Sequence, residues 1–211
     1  MKNLLIIGAR GFGREVYNLY LACKKDMPDL KCKGFLDDKT DALDTYPNYP
    51  PIISSVEEYQ ICPNDVFICA LGDVKAKRKY VEKILEKGGK FISLIHPAVN
   101  IGLNTKIGKG CIIRTQAEIS CDIIIGDYVT IMGYCLIGHD CHIGNWSHLG
   151  AHTFLGGFSI IKEMVTIHPN SKILPHKIIE ENAIIGAGSV VIKKVSSNTT
   201  VFGVPAKKIN L

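Results

Sequence analysis

Several things are scarce in this sequence, and each absence excludes something. No stretch of its 211 residues approaches the roughly 20 consecutive apolar residues that a membrane-spanning helix needs. The opening run Asn3-Leu-Leu-Ile-Ile-Gly8 is too short for a signal peptide, so a cytoplasmic protein with no membrane partner is expected. No Lys/Arg-rich block stands out from a net charge of only +5, which argues against nucleic acid and leaves room for a small anionic ligand. The eight cysteines contain no C-x-x-C pair, and in a reducing compartment they read as buried thiols. No histidine precedes residue 96; all seven fall in the second half.

What is present follows two grammars. Asn3–Gly8 reads as a buried parallel strand, followed by the turn Gly8-Ala-Arg-Gly11-Phe-Gly13. Val16, Leu19, Tyr20 and Cys23 then fall on one helix face. Further strands are expected at 32–38, 66–72 and 91–95, with an amphipathic helix at 74–87 and a Pro-rich loop around Pro47, Pro50 and Pro51. Strands alternating with helices imply a parallel α/β sheet, so residues 1–93 are expected to form a half-sized Rossmann-like domain. Gly8-x-x-Gly11-x-Gly13 between strand and helix can hold a phosphate on backbone N–H groups, with Asp37 at the end of the second strand to meet a ribose or base. The same glycines would equally serve tight strand–helix packing. A dinucleotide and a nucleotide-diphosphate sugar both fit the pattern.

From residue 95 the period changes to six. Ile95, Ile101, Ile107 and so on to Val191 give 17 aliphatic positions without a miss. Gly is frequent one place later, and a small residue such as Cys111, Ala117, Cys135, Cys141 or Ser147 is usual four places later. Neither a helix nor a flat strand has this period. A left-handed parallel β-helix does, each hexapeptide supplying one short strand and one corner, with a little over five turns in residues 94–211. On this reading the aliphatic residue fills the prism, Gly permits the turn and the small residue fits near the corner.

The histidines concentrate in Ile137-Gly-His139-Asp140-Cys141-His142-Ile143 and at His148. No metal is expected here, because Cys141 holds an inward position and the spacing matches no zinc pattern. His139-Asp140 instead pairs an imidazole with a carboxylate, the arrangement of a general base.

These pieces together resemble the bacterial sugar acyltransferases that join a Rossmann-like domain to hexapeptide repeats, a family that includes N-acetyltransferases of UDP-4-amino-sugars and sialic-acid O-acetyltransferases. The matching segments are Gly8–Gly13, Gly34–Asp38, Ala70–Gly72, Ile137–Gly144, Ser147-His148 and Val201–Lys207. The resemblance implies an acetyl-CoA-dependent transfer to an amino or hydroxyl group of a nucleotide-linked or free sugar in surface-glycan biosynthesis, by a homotrimer. It makes His139 the base and Asp140 its partner. His148, the amide of Gly157 and the segments around Pro169 and Ala187 would contact acetyl-CoA. Arg10, Gly11, Phe12, Asp37, Asp38 and Gly72 would contact the nucleotide-sugar. Phe12 and Met132 depart from the residues usual in the amino-sugar enzymes, as do Lys162 and His168 from the repeat. The competing readings are an NAD-binding oxidoreductase or sensor that uses the β-helix as a trimerisation scaffold, and a purely structural scaffold.

Overall fold

The computed structural model describes residues 1–209. The chain forms two compact units, Met1–Leu94 and Ile95–Leu211, dividing one residue beyond the boundary expected from composition. Among the described residues no helix is long and apolar enough to cross a membrane.

The first unit is a five-stranded parallel sheet of β1 (Lys2–Ile7), β2 (Leu30–Leu36), β3 (Ile52–Ser54), β4 (Asp65–Cys69) and β5 (Lys90–Phe91), in the order β3-β2-β1-β4-β5. The central β1 and β4 carry the continuous apolar runs that burial on both faces demands. Helices α1 (Gly11–Cys23) and α2 (Val74–Glu86) connect them. The former buries Val16, Leu19, Tyr20 and Cys23, the face anticipated from spacing. Asp73 caps α2 by accepting from Ala76 N–H at 2.7 Å, whereas Arg10 at the start of α1 supplies no side-chain cap. The strand β3 was not anticipated. It is a three-residue edge strand placed just after Pro51, where a proline costs the ladder nothing.

The second unit is the expected parallel solenoid of short strands. Two-residue strands pair in parallel with those 18 positions away, as Glu118 with Asn100 and Leu136. Three hexapeptides therefore make one coil, and the strands stack into three flat sheets of six, five and eight strands. The six-residue aliphatic column fills the interior, from Ile113 to Val191 at 2% exposure or less. Each such side chain contributes roughly 1.5–3 kcal/mol by leaving water. Ile101 is 39% exposed because it belongs to the first coil, which has no coil before it in the stack. The eight-stranded sheet gains its last members from Thr200–Phe202 and, antiparallel to it, Lys207–Ile209.

The role expected for Gly at the corners needs correction. Left-handed backbone occurs not at the Gly one place after the aliphatic residue but two places further on, at Asn104, Asp122, Tyr134, Asp140, His152, Phe158 and their equivalents, with φ between 52° and 68°. The Gly column serves close stacking instead. A Cβ at Gly138 would lie 2.7 Å from Gly157 N, and one at Gly150 would lie 2.6 Å from Pro169 N. Where the small residue after a left-handed position is Cys, Ser or Thr, it is a hydrogen-bond donor as well as a space-filler. Cys135 Sγ donates to Gly150 O, Cys141 Sγ to Gly156 O and Ser147 Oγ to Lys162 O, at 3.1, 3.3 and 2.8 Å. Thiols and hydroxyls are thus interchangeable parts of one ladder, which explains why these cysteines are neither paired nor clustered.

Candidate active site

One site candidate lies in each unit. In the first, a cavity of about 330 Å³ opens at the carboxyl ends of β1, β2 and β4, where the strand order reverses and α/β sheets characteristically bind ligands. Arg10, Phe12, Asp37, Asp38 and Gly72 all line it, joined by Tyr80 from α2, which was not anticipated. Gly11 instead lines a neighbouring depression with Arg10, Arg14, Lys39 and Tyr46, where the Arg14 guanidinium sits 3.4 Å over the Tyr46 ring. Gly8 adopts φ +93°, and a Cβ on Gly13 would run into the Gly8 carbonyl, so these two glycines are demanded by the turn itself. At Gly11 a Cβ would meet nothing, which leaves its backbone open to a ligand.

The two aspartates divide their work. Asp37 spends its carboxylate on the protein, accepting from Ala9 N–H at 2.8 Å and from Lys39 N–H at 2.9 Å, and so fixes the glycine turn against β2. Asp38 accepts from the Tyr80 hydroxyl at 2.8 Å and keeps lone pairs turned to the cavity. That bond, with some burial, raises the Tyr80 phenol above its ordinary value. The uncapped N-terminus of α1 completes a surface suited to an anion.

In the solenoid, the register stacks His139, Gly157 and Pro175 along one corner, with Asp122, Asp140, Phe158 and His176 beside them. His139 Nδ1 lies 2.8 Å from Asp140 Oδ2. A carboxylate only accepts, so Nδ1 carries the hydrogen and Nε2 presents its lone pair. The left-handed backbone of Asp140, φ 57°, turns its short side chain back to reach the preceding residue. Gly157 leaves room for the ring: a Cβ there would lie 2.9 Å from both Cε1 and Nε2 of His139. Phe158 meets the imidazole edge-on, with ring centres 5.2 Å apart, and itself stacks on His176 at 4.9 Å. Phe158 and His176 were missed by motif reasoning, though counting in steps of 18 from Asp140 finds both.

The remaining expected contacts lie elsewhere on the prism. Pro169 and Ala187 share a different corner, stacked one coil apart through the Gly188 N–H to Pro169 O bond at 2.9 Å. His148 pairs with Thr130 and Thr166 on the flat sheet leading to that corner, and is half-buried. The structure therefore brings His139, Asp140 and Gly157 together within one chain, and His148, Pro169 and Ala187 apart from them. Cys141 is fully buried and points inward, and no group of His, Cys, Asp and Glu among the described residues could hold a metal ion.

Comparison with known proteins bears on both units. Residues 3–84 match the model of the PglD N-terminal domain, and residues 90–190 that of the GMPPB C-terminal domain. A GDP-perosamine N-acetyltransferase of Escherichia coli O157:H7 is 32% identical over 137 residues, covering 65% of this chain and 54% of that protein. A UDP-N-acetylbacillosamine N-acetyltransferase of Bacillus subtilis is 28% identical over 117 residues, covering 54% and 51%. The chain thus spans about half the length of the curated relatives it matches. Among solved structures, the acetyltransferase domain of PglB from Neisseria gonorrhoeae superposes with a TM-score of 0.90 at 25% identity, covering 99% of this chain and 100% of that one. PerB from Caulobacter crescentus, solved with CoA and GDP-perosamine, shares the fold with a TM-score of 0.89 at 23% identity, covering 100% and 98%. The two ends of the chain thus resemble a PglD-type N-terminal domain and the GMPPB C-terminal domain, and the chain is similar over part or all of its length to sugar N-acetyltransferases.

Proposed function

We propose that the protein is an acetyl-CoA-dependent acyltransferase that acetylates an amino or hydroxyl group of a nucleotide-linked sugar, with His139 as general base. The observation that carries this is the His139–Asp140 pair, whose 2.8 Å bond leaves Nε2 free to take a proton on an exposed corner. Such a base contributes typically 10²–10⁴-fold to a rate.

The rest of the corner suits the same reaction. At the equivalent corner positions Lys109, Asp127 and Asn145, the amides of Lys109 and Asp127 are capped by the side chain one coil on, Asp127 Oδ1 at 2.9 Å and Asn145 Oδ1 at 2.8 Å. One coil on from Gly157 stands Pro175, which offers no side-chain acceptor, so the Gly157 N–H is available to an oxyanion. An oxyanion donor of this kind is worth about 2.7–4 kcal/mol in the transition state. His139 would deprotonate the acceptor as it attacks the thioester carbonyl, the negative charge would settle against the Gly157 N–H, and CoA would leave. The transfer is direct, and no cysteine is asked to act as nucleophile. The first unit would hold the nucleotide, with Asp37 bracing the glycine turn, Asp38 and Tyr80 meeting the base or ribose and Arg10 the phosphates.

Of the expected acetyl-CoA contacts, Pro169 and Ala187 fall on a different corner from His139, and His148 on the flat sheet leading to that corner. A homotrimer in which the corners of neighbouring copies meet would unite them, and a cytoplasmic location supplies both substrates. Thermal-shift screening against acetyl-CoA and a panel of GDP-, UDP-, dTDP- and CMP-sugars tests the binding, since a ligand selective for the folded state raises apparent stability. Full acetyl transfer by His139→Ala would refute the base assignment.

A further inference from the structure

Resting on the nucleotide-sugar reading, and deepening it, we propose that the depression beyond Arg10 is a phosphate site. In it Arg14, held against Tyr46, makes the protein prefer acceptors carrying two phosphates over those carrying one or none. The depression, of about 460 Å³, adjoins the cavity of the first unit, and Arg10 lines both. Gly11, Arg14, Lys39 and Tyr46 line it further, together with the carboxylates Asp41 and Asp44.

The charges there are unevenly paired. Lys39 Nζ lies 3.8 Å from Asp41 Oδ1, with both side chains more than half exposed, a weak and screened pair. Among the described residues neither Arg10 nor Arg14 forms an ion pair with a carboxylate. Arg14 is half-buried, its guanidinium carbon 3.4 Å from the centre of the Tyr46 ring, and its buried Nε meets no acceptor. Stacking on a ring fixes the plane of a guanidinium without neutralising its charge. The ordering of a long side chain, ordinarily a cost of binding, is thus complete before a ligand arrives. Tyr49 packs edge-on against Tyr17 of α1, with ring centres 5.6 Å apart, and so ties the segment that carries Tyr46 to the helix that carries Arg14. Gly11 adds a main-chain donor: its N–H opens α1, finds no acceptor among the described residues, and a Cβ there would meet nothing.

Charge and shape set what this arrangement recognises. A flat guanidinium offers two parallel N–H donors to a pair of phosphate oxygens. With the nucleoside in the first cavity, a single phosphate falls to Arg10 and the Gly11 N–H. A second phosphate is what brings Arg14 into use. Sugars linked through one phosphate, or through none, leave the Arg14 charge unmet and forgo its contribution.

Calorimetric titration of the full chain with guanosine, GMP and GDP, and with the matching uridine, thymidine and cytidine sets, reads the site without catalysis. In the base series that binds, the diphosphate should bind roughly tenfold or more tightly than the monophosphate, the worth of one charge-assisted contact. Arg14→Ala should weaken the diphosphate about tenfold while leaving the nucleoside and acetyl-CoA unchanged. Arg14→Lys, which keeps the charge but not the flat stack, should recover only part of that loss. Tyr46→Ala should give a smaller loss in the same direction, and melting temperatures report whether each variant folds. Three results would overturn the proposal. One is equal affinity for mono- and diphosphate in the unaltered protein. Another is a nucleoside weakened by Arg14→Ala as much as the diphosphate is. The third is a loss of acetyl-CoA affinity alone, which would give Arg14 to the phosphates of the coenzyme. Failure of every nucleoside and nucleotide to bind would instead bring down the nucleotide-sugar reading, and the proposal with it.

Discussion

Replacing Gly157 with alanine should separate catalysis from folding. The new methyl would lie 2.9 Å from Cε1 and Nε2 of His139, against an ordinary contact of 3.4–4 Å, and these atoms belong to an exposed side chain that can swing away. Escape requires the ring to move by roughly 0.5–1 Å, and a displacement of that size costs on the order of 10²-fold in rate. It also stretches the 2.8 Å bond to Asp140 that sets the tautomer. The backbone at Gly157 is not left-handed, so the fold should lose little, and alanine can even add about 0.4–1 kcal/mol by restricting the unfolded chain. Gly138→Ala is the control. Its methyl would meet Gly157 N at 2.7 Å and Leu155 O at 2.9 Å, backbone atoms of the next coil that cannot swing away. That variant should lose about 1–3 kcal/mol, the usual cost of overpacking. CoA-release kinetics at saturating acceptor, read beside urea unfolding, would distinguish the two. A Gly157→Ala protein with full kcat, or one whose lost activity tracks an equal loss of stability, would refute the reasoning.

Three further outcomes are expected. Asp140→Asn should lower kcat on the order of 10²–10⁴-fold with the fold intact, because an amide can hold the imidazole in the wrong tautomer; a pH–rate profile of the variant checks this. Asp65→Asn should cost about 3 kcal/mol in urea unfolding, since the buried carboxylate accepts from Tyr59 Oη, Cys62 N–H and Asn3 Nδ2 at 2.7, 2.8 and 3.2 Å. Burial alone would raise the Asp65 carboxyl, but the Cys62, Tyr59 and Asn3 bonds and Lys33 hold it below its ordinary value. Its contribution is therefore present above the unfolded value near 4 and lost as pH falls through the folded one, so wild-type and variant stabilities should converge in acid. Cys141→Ser should change stability by less than about 1 kcal/mol in thermal unfolding, because serine donates to the same kind of carbonyl at Ser147 and Ser159.

The solenoid was legible because its interior admits one residue class, and an aliphatic side chain every six positions has no other explanation. What was not legible is how each corner turns. Left-handed backbone is tolerated here by Tyr128, Trp146, Phe158 and Met164 as well as by Asn and Asp, so the turning position has no compositional mark. The frequent Gly drew attention to the wrong place, two residues earlier, where it answers a stacking constraint visible only in three dimensions. The strand after Pro51 was hidden because three residues at a sheet edge carry too little pattern, and prolines nearby read as loop. At the cavity of the first unit both aspartates were found, but their division of labour depends on Ala9 N–H and Tyr80, which lie 28 residues before Asp37 and 42 after Asp38. Around the imidazole, the partner next in sequence was evident, while Asp122 and Phe158 are neighbours only through the 18-residue period.

That period also decides which changes of length the corner can survive. Asp122, His139, Gly157 and His176 meet because each coil contains the same number of residues. Deleting one residue between Asp122 and His139 would advance every later side chain by a sixth of a hexapeptide, sending Ile143 outward and, further along, Lys162 and His168 into the core. Such an event scrambles both the interior and the His139 corner at once. Only insertions or losses of whole coils keep the phase, and one placed between Asp122 and His139 would still part the two carboxylates. Point substitution is the route by which this corner can be retuned, and the surface loops of the first unit are where length can vary freely.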